Sequence, residues 1–126
     1  MNRENIIVSA LTTHVLDTAK GVPAAGMKVE LWSHGNGESK LLKSAITNSD
    51  GRLDEPALDG HSFIAGSYEL RFYAGDYFNS NSAHPDKNGA AFLDIIPICF
   101  GVSDTGSHYH VPLLVSPFSY STYRGS

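Results

Sequence analysis

Apolar and polar residues alternate with a period of two along much of the chain. Tyr68, Leu70 and Phe72 alternate with Glu69, Arg71 and Tyr73, and Met27, Val29 and Leu31 alternate with Lys28, Glu30 and Trp32. That period sends successive side chains to opposite faces of a strand. Up to Lys20 the alternation is looser, but Ile6, Ile7, Val8, Thr12, Thr13, Val15 and Thr18 are β-branched, and their crowding at χ1 favours a strand. A weaker strand is expected over Leu41 to Thr47. A nearly all-apolar one, as if covered on both faces, is expected over Asp94 to Val102. His108 to Val115 and Phe118 to Tyr123 supply two more, joined at Ser116-Pro117. His34-Gly35-Asn36-Gly37 and Asn48-Ser49-Asp50-Gly51 read as turns, with glycine providing positive φ. The single helix expected is one or two turns near Asp76 to Asn81.

Seven or eight short strands separated by turns point to an all-β, two-sheet antiparallel β-sandwich with one short helix. With neither repeat nor linker in 126 residues, residues 1–126 are expected to form one domain. Pro97 and Pro112 fall inside proposed strands, and each removes a ladder donor, so each must sit at an edge, at a bulge or with its nitrogen turned outward. Composition narrows the function. A hydrophobic share of 41% with 17% charged residues excludes a disordered chain or a coiled coil. A net charge of −4 removes the electrostatic basis for nucleic acid or an anionic membrane as partner. Cys99 is the only cysteine, so no intrachain disulfide forms, and its apolar neighbours read as those of a buried thiol. No signal-peptide core and no run approaching eighteen apolar residues is present, which makes a cytoplasmic protein the expectation.

Familiar catalytic signatures are missing: no Gly-x-Ser-x-Gly elbow, no phosphate-binding glycine loop, no His-Glu-x-x-His. Histidine remains, six residues in a small acidic chain. His108 and His110 lie two apart in a strand and project from one face, roughly 7 Å apart. His14 lies in the first strand with Thr12 and Leu16 on its own face, so three imidazoles converge if the two strands are neighbours. His34, His61 and His84 sit beside Gly, Ser or Pro and read as solvated. Three readings fit the cluster: a zinc site with an open position for water, an imidazole that activates water directly, or half-buried polar residues satisfied by neighbours. Arg52 follows a tight turn, where a guanidinium either is simply solvated or grips a planar amide or carboxylate edge. The chain end, Ser119-Tyr120-Ser121-Thr122-Tyr123-Arg124-Gly125-Ser126, carries more chemistry than a frayed terminus normally does.

Longer motifs carry a resemblance. Leu11-Thr12-Thr13-His14-Val15-Leu16-Asp17-Thr18, Thr47-Asn48-Ser49-Asp50-Gly51-Arg52, His108-Tyr109-His110-Val111-Pro112-Leu113-Leu114-Val115-Ser116-Pro117 and the terminal Tyr123-Arg124-Gly125-Ser126 resemble those of the 5-hydroxyisourate hydrolases. These are the transthyretin-related enzymes of purine degradation, and the similarity runs from about Ile7 to Ser126. It implies a transthyretin-like sandwich of about eight strands and a homotetramer, a dimer of dimers with active sites between the dimers. It also implies hydrolytic ring opening of a small heterocyclic substrate with no cofactor and no metal. His14, Arg52, His110 and Tyr123 match the family's catalytic positions. His108, Arg124, Gly125 and Ser126 join them as substrate-binding positions, with His108 weighted below His110. A ligand carrier of the transthyretin kind and a structural adhesin module are the rivals. The polar His14, Arg52 and His110 speak against the first.

Overall fold

Two sheets face each other across an apolar interior in the computed structural model of the chain, which describes residues 9–81 and 90–125. Expectations placed on Ile6, Ile7, Val8, His84 and Ser126 lie outside the described residues. In chain order the elements are β1 (Ala10–Asp17), β2 (Val22–Pro23), β3 (Lys28–Gly35), β4 (Glu38–Ile46), β5 (Leu58–Asp59), β6 (Gly66–Tyr73), α1 (Ala74–Asn81), β7 (Ile95–Val102), β8 (Tyr109–Val115) and β9 (Tyr120–Thr122). The first sheet has the order β2-β1-β8-β9, with β5 also pairing β1, and the second β4-β3-β6-β7. Leu11, Val15, Leu113 and Val115 from the first meet Val29, Leu31, Leu70, Phe72, Ile96 and Ile98 from the second. Alternation therefore does what it predicts: odd positions of β1 and β8 enter the core, and even positions face out.

The described residues form the expected two-sheet sandwich with one short α-helix, and one pairing adds to it. β1 and β8 run parallel, from Leu11 opposite Tyr109 to Asp17 opposite Val115, whereas the other pairings are antiparallel. The β3–β4 turn is tighter than expected. Asn36 and Gly37 alone make it, both at positive φ (54° and 77°), the geometry of a two-residue hairpin loop; His34 and Gly35 belong to β3.

Two readings are corrected. β7 is not covered on both faces: among the described residues it is the edge of its sheet, and Ile95 is 45% exposed. Cys99, on that outward face, is exposed and not a buried thiol. Its apolar neighbours Ile96 and Ile98 belong to the other face. Pro97 is accommodated by the edge position. Pro112 is accommodated differently. Its carbonyl accepts from Thr122 Oγ1 at 2.7 Å, so its nitrogen points the same way, towards β9, whose ladder begins only at Leu113.

The helix is pinned through a buried carboxylate. Asp17, at 0% exposure, accepts from the amides of Ala19 and Lys20 at 3.0 Å each and from Tyr77 Oη of α1 at 2.8 Å. Burial, with the Asp17 hydrogen bond adding to it, pushes the Tyr77 phenol up to about 12. The shift follows because a phenolate would be both desolvated and set against a carboxylate.

Candidate active site

The outward face of the first sheet collects the chemistry. Parallel pairing sets Thr12 beside His110 and His14 beside Pro112, so the even-numbered side chains of β1 and β8 share one surface. The His14 and His110 rings are 6.5 Å apart, tilted by 40°. Thr12 Oγ1 stands between two imidazoles, 2.8 Å from His110 Nδ1 and 3.1 Å from His108 Nε2. Arg52 reaches the same face from the side of β1 away from β8, between the stretches of β1 that pair with β5 and with β2. It pairs with His14 across an antiparallel bridge, and directly opposed residues send their side chains the same way.

A closed loop of hydrogen bonds fixes the Arg52 backbone. Asn48 Oδ1 accepts from the amides of Asp50 and Arg52 at 2.9 and 3.1 Å, and the Asn48 amide donates to the Arg52 carbonyl at 2.8 Å. Gly51, at φ 74°, donates back to Asn48, and its own carbonyl takes the Val15 amide at 2.8 Å. A Cβ at 51 would stand 2.4 Å from the Val15 carbonyl, so glycine is required for the turn to lie this close to β1. A recess of ≈150 Å³ adjoins, with Thr12, Arg52, Asp54 and Glu55 in its walls.

Electrostatics set the protonation. His110 titrates below its ordinary value. Burial is the largest cause, and the Arg52, His14 and His108 charges add to it. An imidazole so held is neutral near pH 7, with a lone pair available to a proton. Thr12 has one hydroxyl proton for two rings. When His110 Nδ1–H donates to Thr12 and Thr12 donates to His108 Nε2, His110 Nε2 is left as an open acceptor.

The chain end closes on His110. Gly125 bridges it, its amide donating to the His110 carbonyl at 2.7 Å. Tyr123 is 59% exposed. Arg124 lies over the Tyr109 ring, 4.1 Å from its centroid. Since Tyr109 belongs to the inward set of β8, this guanidinium is turned away from the imidazoles. The structure thus brings together His14, Arg52, His108, His110 and Gly125, and it places Arg124 elsewhere.

The sequence profile of the HIUase/Transthyretin family matches residues 11–125. The chain belongs to this family. It is 54% identical over 117 residues to 5-hydroxyisourate hydrolase 2 of Rhizobium meliloti, covering 92% of this chain and 95% of that one. To the 5-hydroxyisourate hydrolase of Halalkalibacterium halodurans it is 55% identical over 121 residues, covering 92% and 97%. Among solved structures, the 5-hydroxyisourate hydrolase of Klebsiella pneumoniae superposes with a TM-score of 0.76 at 32% identity, over 94% of this chain and 99% of that one. An (S)-allantoin synthase superposes with a TM-score of 0.86 at 48% identity; this chain spans only 44% of that longer protein.

For this member of the HIUase/transthyretin family, the geometry also exposes what sequence reading passed over. Thr12 is one such residue: parity in β1 puts its hydroxyl on the His14 face, and only the pairing with β8 shows that it meets His108 and His110. His34 is not a solvated turn residue. Its Nε2 and Nδ1 lie 2.7 Å from Glu69 Oε1 and Ser39 Oγ respectively. His61 is exposed, as expected.

Proposed function

We propose that the chain hydrolyses 5-hydroxyisourate, opening its six-membered ring to 2-oxo-4-hydroxy-4-carboxy-5-ureidoimidazoline. The observation that carries this is the pair of imidazoles 6.5 Å apart on one sheet face, with the Arg52 charge acting on the one held neutral. The matching names of its relatives point the same way.

In this reading, water is held between His14 and His110, and His110 Nε2 takes its proton as the oxygen attacks the ring carbonyl carbon. His14 orients the water. The Arg52 guanidinium binds the amide edge of the heterocycle and stabilises the oxyanion, an effect commonly worth about 3 kcal/mol. When the tetrahedral intermediate collapses, the C–N bond breaks and the imidazolium returns its proton to the leaving nitrogen, so His110 ends as it began. Thr12 and His108 hold the tautomer in which Nε2 is the base. Tyr123 and the chain end close the rim, and Gly125 seats His110.

An open sheet face does not exclude water by itself. A homotetramer, two dimers stacked so that these faces meet, would turn two open sites into a channel, and this assembly belongs to the proposal. The test follows freshly generated 5-hydroxyisourate by its ultraviolet absorbance. The chain should accelerate its decay well beyond the spontaneous rate; decay at the spontaneous rate at micromolar protein would overturn the reading.

A further inference from the structure

The second sheet carries, on its own outward face, a group of side chains that the hydrolytic reading leaves unused. His34 on β3, Glu69 on β6 and Cys99 on β7 come from three adjacent strands. Glu69 lies directly opposite Cys99 in one pairing and opposite Trp32 in the other, with His34 two residues further along β3 on the same face. One ring nitrogen, one carboxylate oxygen and the thiol sulfur all lie within 4.8 Å of one another. Among the described residues no other trio of His, Cys, Asp or Glu converges in this way; the three imidazoles of the first sheet do not.

Two of the three donors are already held from behind. Glu69 Oε2 accepts from Arg71 Nε at 2.6 Å, which leaves Oε1 turned towards His34 Nε2 at 2.7 Å. His34 Nδ1 meets Ser39 Oγ at 2.7 Å. Outer partners on a carboxylate and on the far nitrogen of an imidazole are how protein metal ligands are usually oriented. Arg71 in turn stacks on Trp32, 4.1 Å from the ring centroid, so the support is rigid. Cys99 is exposed, which gives an ion in water a direct approach.

We propose that His34, Glu69 and Cys99 form a binding site for a thiophilic divalent cation, Zn²⁺ by donor chemistry, with a fourth position open to water. One thiolate, one imidazole and one carboxylate make a donor set suited to tetrahedral zinc. Binding forms three coordinate bonds and releases one proton to water, from the Cys99 thiol; the proton that His34 Nε2 now donates to Glu69 moves to Nδ1 as Nε2 takes the ion. Ser39 needs only to rotate its hydroxyl, which accepts from Nδ1–H as readily as it donates. Thiolate and carboxylate together balance the dication. The bound ion would tie edge strand β7 to β6 and β3, so its consequence is stability of the open sheet edge, separate from hydrolysis.

Cobalt(II) is the probe, because a thiolate bound to it gives a near-ultraviolet charge-transfer band and Cys99 is the only cysteine. Reduced protein titrated with Co²⁺ should develop the band to one equivalent per chain and lose it when Zn²⁺ is added. Cys99→Ser should abolish the band. His34→Gln should weaken binding at least tenfold, and His110→Ala should leave both band and affinity unchanged. Zn²⁺ should raise the melting temperature of the wild type and not that of Cys99→Ser. Absence of the band in the wild type, or its full retention in His34→Gln with circular dichroism showing an intact fold, would overturn the proposal.

Discussion

Gly125 is packed against His110 so closely that a side chain would not fit between them: a Cβ at 125 would lie 2.7 Å from His110 Cδ2 and 3.2 Å from its Cβ and Cγ. The same residue donates its amide to the His110 carbonyl. The chain end thus acts on the proposed base through contact with its ring as well as through backbone pairing. Gly125→Ala must push either the imidazole or the terminus aside. A displacement of about 1 Å at a reacting group can cost roughly a hundredfold in rate. The expected result is a kcat/KM loss of that order with thermal unfolding nearly unchanged, measured by the absorbance assay and by calorimetry.

Thr12 offers a sharper distinction between holding and reacting. Its hydroxyl serves His108 and His110 together, and Thr12→Val keeps the shape while removing it. The loss should fall on kcat, by about tenfold as befits one orienting hydrogen bond, with KM little affected. Thr12→Ser should restore most of it. Equal kcat in Thr12→Val and the wild type would show that the tautomer is set in another way.

The environment of His110 makes a pH prediction with a definite sign. Its pKa is lowered from the ordinary 6.5, first by burial and then by Arg52. The neutral, base-competent form therefore persists further into acid, and the acid limb of the rate profile should lie below that value. Arg52→Gln removes one cause and leaves burial, so the His110 titration followed by ring-proton NMR should move upward without reaching 6.5. An unchanged titration would remove the guanidinium from the vicinity of the ring.

Asp17 and Tyr77 carry a stability prediction. Tyr77→Phe deletes the hydroxyl that donates to a fully buried carboxylate, a charge-assisted bond worth about 2 kcal/mol, and urea unfolding should register that loss. The raised phenol has an alkaline counterpart. Its stabilisation is complete below the unfolded value of 10.0 and is lost as pH rises through the folded value of about 12. Wild-type stability should fall across that window with a component missing in Tyr77→Phe.

The sequence made some of this legible and left the rest hidden for physical reasons. Period-two alternation located β3 and β6, because side-chain direction in a strand is local. The same parity put His14 and Thr12 on one strand face and His108 and His110 on another. Which strands are neighbours is not local, and the parallel β1–β8 pairing that joins those faces has no signature in either segment. β7 misled because Ile95, Pro97 and Cys99 are apolar yet face outward on an edge strand. Alternation puts Glu30 and Glu69 on the face opposite the core, yet each is only 8% exposed. Tyr73 and Trp32 close over Glu30, and His34 and Arg71 over Glu69. The Arg124 placement over Tyr109 depends on how the last residues cross β8, which composition does not encode.

Chelation separates the imidazole mechanism from a zinc-dependent one. Exhaustive treatment with a strong chelator should leave ring opening at its original rate. Loss of activity restored by zinc would transfer the chemistry to a metal.

The most direct measurement compares kcat/KM for freshly generated 5-hydroxyisourate among the wild type, His110→Ala and Arg52→Ala, each shown to be folded by circular dichroism. The expected result is rapid turnover by the wild type and a loss of at least a hundredfold in each variant, in line with removal of a general base or an oxyanion partner. Turnover within a factor of about two of the wild type in either variant, a change worth only about 0.4 kcal/mol of barrier, would contradict the assignment of base and guanidinium to this face.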